Sequence, residues 1–185
     1  SAPLSTAELQ RARQCYYGEA AYLDAEFGRL LDTMRSRGLL ENCLVVFLSD
    51  HGTHLGDYGL VQKQTFFEPV VNVPFFFWGP DHLRSGGRVR TPVGIHSLLP
   101  TLLELAGLEP SSSPDVAPSL ASALRFATEP AAAPVFSEFD LQTFAPHIGH
   151  HGRLVMVRHE NWKLSACLDP DVHDVFLCDL STDPH

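Results

Sequence analysis

Positive charge is scarce in this sequence of 185 residues: Lys and Arg total 13 against 22 Asp and Glu, a formal net charge of −9. A nucleic-acid partner is not expected, because phosphate backbones demand a basic face. An anionic small molecule stays compatible with that balance, since local rather than net charge governs a pocket. No apolar run reaches the roughly 18 residues of a membrane-spanning helix. The most apolar window, Phe66 to Trp78, is broken by Glu68, Pro69, Asn72 and Pro74. Cysteines number four, at 15, 43, 167 and 178, and no C-x-x-C pair occurs, which argues against structural zinc. Cys15 and Cys43 read as small core residues. A disulfide between Cys167 and Cys178 across two late strands is open, with no bridge the favoured reading. Disorder is excluded as well, with 44% hydrophobic and 19% charged residues.

The sequence also lacks an initiator Met and a basic-then-apolar leader, beginning Ser1-Ala2-Pro3. It stops at Asp183-Pro184-His185, directly behind an apolar strand pattern. A piece of a longer protein is expected. No residue pattern points to a compartment or an oligomeric state.

Ser5-Thr6-Ala7-Glu8 fits a capping box. Apolar residues then recur at Tyr16, Ala20, Leu23, Phe27, Leu30, Leu31 and Met34, in steps of three and four, before Gly38. This predicts a long amphipathic helix. Leu44 to Leu48 is short, continuously apolar and β-rich, the pattern of a central parallel strand covered on both faces. Val73 to Trp78 predicts a second buried strand, with Pro74 at its start. Ser97 to Ala106 predicts a short helix ended by Gly107. From Glu109 to Pro134, five prolines and seven alanines mark a surface connection holding one short helix at Leu120 to Phe126. Strand patterns follow at Val135-Phe136, Leu154 to Val157, Trp162 to Leu164 and Val175 to Leu177, with His159-Glu160-Asn161 turning the middle pair into a hairpin. The expected fold is α/β, a mixed sheet between helices over residues 1–133, followed by a small antiparallel subdomain over residues 134–185.

Chemistry concentrates in Ser49 to Lys63. Asp50 and His51 stand at the carboxyl end of the first strand, where open α/β sheets bind ligands. Gly52 allows a tight turn there, so a carboxylate and an imidazole, both competent metal ligands, can converge on one ion. Lys63 follows across a loop containing Gly56 and Gly59. An ammonium beside a divalent cation makes sense only if an anion bridges them, as tetrahedral sulfuryl or phosphoryl chemistry requires. Taken singly, an Asp-His pair also reads as a cap or surface turn, and a lone Lys as a solvated residue. His54 faces the same loop and is a candidate for lining the pocket. His147, His150 and His151 read as solvated loop residues sooner than as a metal cluster.

The pattern S-D-H-G-x-x-L-G-x-x-G-L-x-x-K over Ser49 to Lys63, followed by Phe67-Glu68, then Val73-Pro74 and an apolar strand ending in Gly79-Pro80, resembles the second half of a sulfatase of the alkaline-phosphatase-like superfamily. Tyr22 to Asp32, Leu98 to Leu108, Trp162-Lys163-Leu164 and Val175 to Pro184 resemble further parts of that family, so the likeness runs from about Glu8 to the end.

The resemblance implies an alkaline-phosphatase-like fold and a hydrolase that cleaves sulfate esters with a divalent metal and a formylglycine nucleophile. Asp50 and His51 match the family's second pair of metal ligands, and Lys63 matches the lysine that contacts sulfate and leaving oxygen. Calcium is the usual ion. Many members carry Asn where His51 stands, and an imidazole keeps manganese or zinc open. None of the four cysteines lies in the family's C/S-x-P/A-x-R nucleophile motif, and the first Asp-Asp metal pair is absent. Both are expected upstream of this sequence. The alternatives are a phosphonate or phosphodiester hydrolase on the same scaffold, or a non-catalytic truncated chain.

Overall fold

Ser5 caps the first helix as its residue type predicts. Its hydroxyl accepts from the Glu8 amide, and the Glu8 carboxylate accepts from the Ser5 amide at 2.8 Å, a reciprocal box. The computed structural model describes residues 4–63, 65–79, 83–109, 113, 115–140, 152–169 and 174–183; His147, His150 and His151 lie outside them. Two units are distinct: Ser1–Thr65 with Pro69–Asp81, and Phe66–Glu68 with His82–His185.

In the first unit, helix α1 (Thr6–Ser36) ends where Gly38 turns left-handed at φ 69°. No α1 residue is fully buried; Tyr16, Leu23 and Leu30 are exposed, whereas Phe27, Leu31 and Met34 are half-buried. The Phe27 ring meets Phe47 at 5.4 Å between centroids. Phe47 belongs to β1 (Val45–Leu48), which pairs antiparallel with β4 (Phe75–Trp78), from Val45 opposite Trp78 to Leu48 opposite Phe75. This corrects the expectation of a parallel central strand: among the described residues β1 pairs with β4 alone. A continuous apolar run encodes burial and says nothing about strand direction. β4 is also less buried than expected, because Phe76 and Trp78 alternate outward. Phe76 stacks on Phe47 at 4.9 Å.

In the second unit, α2 (Leu98–Leu105) and α3 (Ala121–Phe126) are joined through one buried hydroxyl. Thr101 Oγ1 donates to the Ser97 carbonyl (2.6 Å) and accepts from the Leu120 amide (2.8 Å). Leu120, Ala121 and Ala123 are buried there. Four strands follow, β5 (Val135–Asp140), β6 (Arg153–His159), β7 (Trp162–Cys167) and β8 (Val175–Asp179), in that spatial order and antiparallel throughout. The expected hairpin is present, with His159 opposite Trp162 and Glu160 in the left-handed region at φ 52°. Cys167 and Cys178 form no disulfide, the favoured of the two readings: Cys178 stands opposite Lys163, and Cys167 opposite Leu154.

Along β7 the alternation is inverted relative to hydrophobicity. Trp162 and Leu164 face outward, while Lys163 is 1% exposed. Glu68 explains this. Its Oε1 accepts from Lys163 Nζ at 2.8 Å, and its Oε2 lies 3.5 Å from Arg158 Nη1. A buried charge deprived of its partner is far costlier than one that is paired. Lys163→Met alone should therefore destabilise the protein by about 3–5 kcal/mol, and Glu68→Gln with Lys163→Met should recover most of that. Urea unfolding of the three proteins checks it; a double variant as unstable as Lys163→Met would contradict the pairing.

Candidate functional site

The chain leaves β1 through a turn that only glycine fits. The Gly52 amide donates to the Val70 carbonyl at 2.7 Å. A Cβ on Gly52 would lie 2.0 Å from the Pro69 carbonyl oxygen, a clash with backbone that cannot move aside. Upstream, the Ser49 amide donates to the Pro74 carbonyl (3.2 Å) and the Ser49 hydroxyl to the His51 carbonyl (2.7 Å). Asp50 and His51 are thus held in a tight bend at the strand end.

Their side chains come together. Asp50 Oδ1 accepts from the His51 amide at 2.9 Å, and Oδ2 lies 3.4 Å from His51 Nε2. His51 Nδ1 lies 2.8 Å from the Gly52 carbonyl oxygen, which can only accept. Nδ1 therefore carries the proton, and Nε2 presents its lone pair. Two adjacent ligands of one cation, each about 2.0–2.5 Å from it, lie roughly 3–3.5 Å apart. Asp50 Oδ2 and His51 Nε2 fit that requirement in separation and in donor chemistry. Among the described residues no group of three or more His, Cys, Asp or Glu side chains gathers to complete a site.

Lys63 reaches the same spot, its Nζ donating to His51 Nε2. It is carried there by a small hairpin of β2 (His54–Leu55) and β3 (Val61–Gln62), with His54 opposite Gln62. A 3₁₀ turn at Asp57–Gly59 closes it. Gly56 and Gly59 take φ of 98° and 71°, and Tyr58 and Gln62 are left-handed without being glycine, at 56° and 74°. Arg13 Nε of α1 donates to the Leu55 carbonyl at 2.7 Å. The Asp57 carboxylate accepts from the Leu55 amide at 3.0 Å, the main reason its pKa falls below the usual value.

His54, a candidate for lining the pocket, is 1% exposed. Its Nε2 lies 2.7 Å from Thr65 Oγ1, and the Tyr58 ring meets it edge-on at 6.0 Å. Thr65 and the Glu68–Lys163 pair were not singled out from sequence. Thr65 has no signature beyond standing two residues after Lys63.

Burial pushes the His54 pKa below its ordinary value, with the Asp57 carboxylate opposing. As pH falls, the unfolded chain binds the proton first. Neutral His54 therefore contributes stability that is complete above about pH 6.5 and is lost below it. Urea midpoints between pH 7.5 and 5 should drop less steeply for His54→Gln than for the unsubstituted protein; identical slopes would contradict the burial argument.

The model of the sulfatase family matches residues 2–108. Choline-sulfatase of Rhizobium meliloti (strain 1021) is 34% identical over 183 residues, covering 95% of this chain and 32% of that protein. The phosphonate monoester hydrolase of Agrobacterium radiobacter superposes with a TM-score of 0.78 at 28% identity, over 93% of this chain and 35% of that one. BT4656, solved in complex with its substrate D-glucosamine-2-N,6-O-disulfate, has a TM-score of 0.76 at 24% identity, over 89% and 33%. The last likeness speaks to the alkaline-phosphatase-like fold alone. The chain spans about a third of the length of each of these proteins.

Proposed function

The chain belongs to the sulfatase family, and from that premise we propose that it forms part of a sulfuric ester hydrolase. Within it, residues 1–133 would be the later part of the catalytic α/β domain and residues 134–185 a small C-terminal subdomain. The observation that carries the reading is the convergence of Asp50 Oδ2, His51 Nε2 and Lys63 Nζ at the end of β1.

Asp50 and His51 would hold a divalent ion. Calcium is favoured by the family, and the imidazole admits manganese or zinc. When bound, the ion supplies Lewis-acid neutralisation of sulfuryl oxygens. The Gly52 carbonyl keeps His51 in the tautomer that a ligand needs. The Lys63 ammonium would donate to a sulfate oxygen and then to the leaving alkoxide oxygen as the S–O bond breaks. A dication and an ammonium repel at such distances, so a bridging tetrahedral anion makes the arrangement favourable. The nucleophile, a formylglycine hydrate in this reading, would come from residues outside this sequence. The substrate class is a small-molecule or saccharide sulfate ester.

A second reading, a phosphonate monoester hydrolase on the same scaffold, is favoured by the likeness to the Agrobacterium enzyme. Turnover of an aryl sulfate against an aryl phosphonate monoester by the protein carrying this chain and its nucleophile separates them. The proposal expects a higher kcat/KM for the sulfate; the reverse order would replace it with the second reading. Asp50→Ala should lower metal content and kcat/KM together, the latter by about a hundredfold or more. Unchanged metal stoichiometry would overturn the ligand assignment. The 185 residues alone should not turn over an aryl sulfate, and turnover abolished by Lys63→Ala would overturn the upstream nucleophile.

A further inference from the structure

The His54–Thr65 hydrogen bond brackets Lys63. On one side of the lysine, Gln62 is the backbone partner of His54 across the β2–β3 hairpin. On the other, Thr65 Oγ1 lies 2.7 Å from the buried His54 Nε2. A single residue of β2 therefore holds the chain one residue before Lys63 by its backbone and two residues after it by its side chain. The Thr53 hydroxyl adds a bond to the Gln62 carbonyl at 3.2 Å.

The backbone between these anchors is strained. Tyr58 and Gln62 are both left-handed, each costing about 1–3 kcal/mol unless its surroundings over-determine it. Gln62 directly precedes Lys63. Released from its anchors, this residue would relax to negative φ and swing the lysine away from His51. Such strain next to a functional group is retained where it aims that group.

We propose that His54 and Thr65 are positioning residues that aim the Lys63 ammonium at the Asp50–His51 corner through their mutual hydrogen bond. The inference rests on the reading of Lys63 as the group that binds the substrate's oxyanion. Neither residue touches the reacting atoms; each acts through the lysine, so removing the bond should matter only while the lysine is present.

The test is a double-mutant cycle on aryl sulfate turnover by the protein carrying this chain and its nucleophile. Thr65→Val keeps the shape and removes the hydroxyl; Thr65→Ser keeps the hydroxyl. Thr65→Val should lower kcat about 10- to 100-fold with KM within about threefold, since misplacing a catalytic group by about 1 Å costs that much. Thr65→Ser should stay within about threefold of the unsubstituted protein. In a Lys63→Ala background, Thr65→Val should change kcat less than twofold, because coupled residues are not additive. A full further loss in that background, or Thr65→Ser as impaired as Thr65→Val, would overturn the inference and leave the Lys63 assignment intact. Unchanged kcat in Lys63→Ala alone would overturn the proposed function instead. If Thr65→Val does not fold, Thr65→Ala enters the same cycle. Independently of turnover, the nitrogen-15 resonance of His51 Nε2 in this chain should shift in Thr65→Val as the ammonium leaves it; an unshifted resonance counts against the proposal.

Discussion

One backbone contact governs the geometry at the end of β1. The Gly52 amide meets the Val70 carbonyl, and the Pro69 carbonyl occupies the space where any side chain on residue 52 would begin. In an extended strand, neighbouring side chains point to opposite faces. The turn at Gly52 removes that constraint, and a carboxylate and an imidazole from consecutive residues end 3.4 Å apart. The same turn puts the Gly52 carbonyl under His51 Nδ1, which selects the tautomer. Convergence and tautomer therefore both follow from one glycine.

The lysine is held by different means. Its hairpin has only two residues in each strand, too few to be stable as a ladder. Its order comes from side chains: Asp57 on the Leu55 amide, Arg13 on the Leu55 carbonyl, and His54 against Thr65. These bonds offset the strain at Tyr58 and Gln62. The loop is a case where polar contacts at few points, rather than buried area, define a conformation.

Local signals in the sequence were legible where the physics is local. Ser5 and Glu8 announce a cap because the box closes within four residues, and Gly38 announces a stop because only a left-handed residue ends the helix that way. The β6–β7 hairpin was readable from two strand patterns around His159 to Asn161. The Asp50, His51 and Lys63 trio stood out because the stretch from Ser49 to Lys63 resembles the sulfatase pattern, not because its spacing alone compelled it. What failed was non-local. Strand direction at β1 depends on which segment pairs with it, and β4 lies 27 residues away in register at Leu48 and Phe75. The inward Lys163 depends on Glu68, 95 residues earlier, and no alternation rule anticipates an ammonium where a Trp or Leu belongs. His54 was a candidate pocket residue because it shares a loop with the lysine, but it is buried, with Thr65 Oγ1 and the Tyr58 ring against its imidazole.

The same geometry bears on how sulfate and phosphonate esters are told apart. Both monoesters present a tetrahedral centre with one negative charge near neutral pH, so on the proposed reading a dication beside Asp50 and His51 with one ammonium opposite would experience nearly the same field from either. These three side chains would then give little discrimination between them. The two substrates differ at the fourth substituent, an oxygen on sulfur against a carbon on phosphorus. Selectivity must come from groups that touch that position, since a hydrogen-bond donor directed there would be left unpaired by carbon. On the proposed reading, that separation of roles would let one scaffold appear in proteins named for either reaction: the cradle at the end of β1 would recognise a charge and a shape, and groups elsewhere would choose the element at its centre.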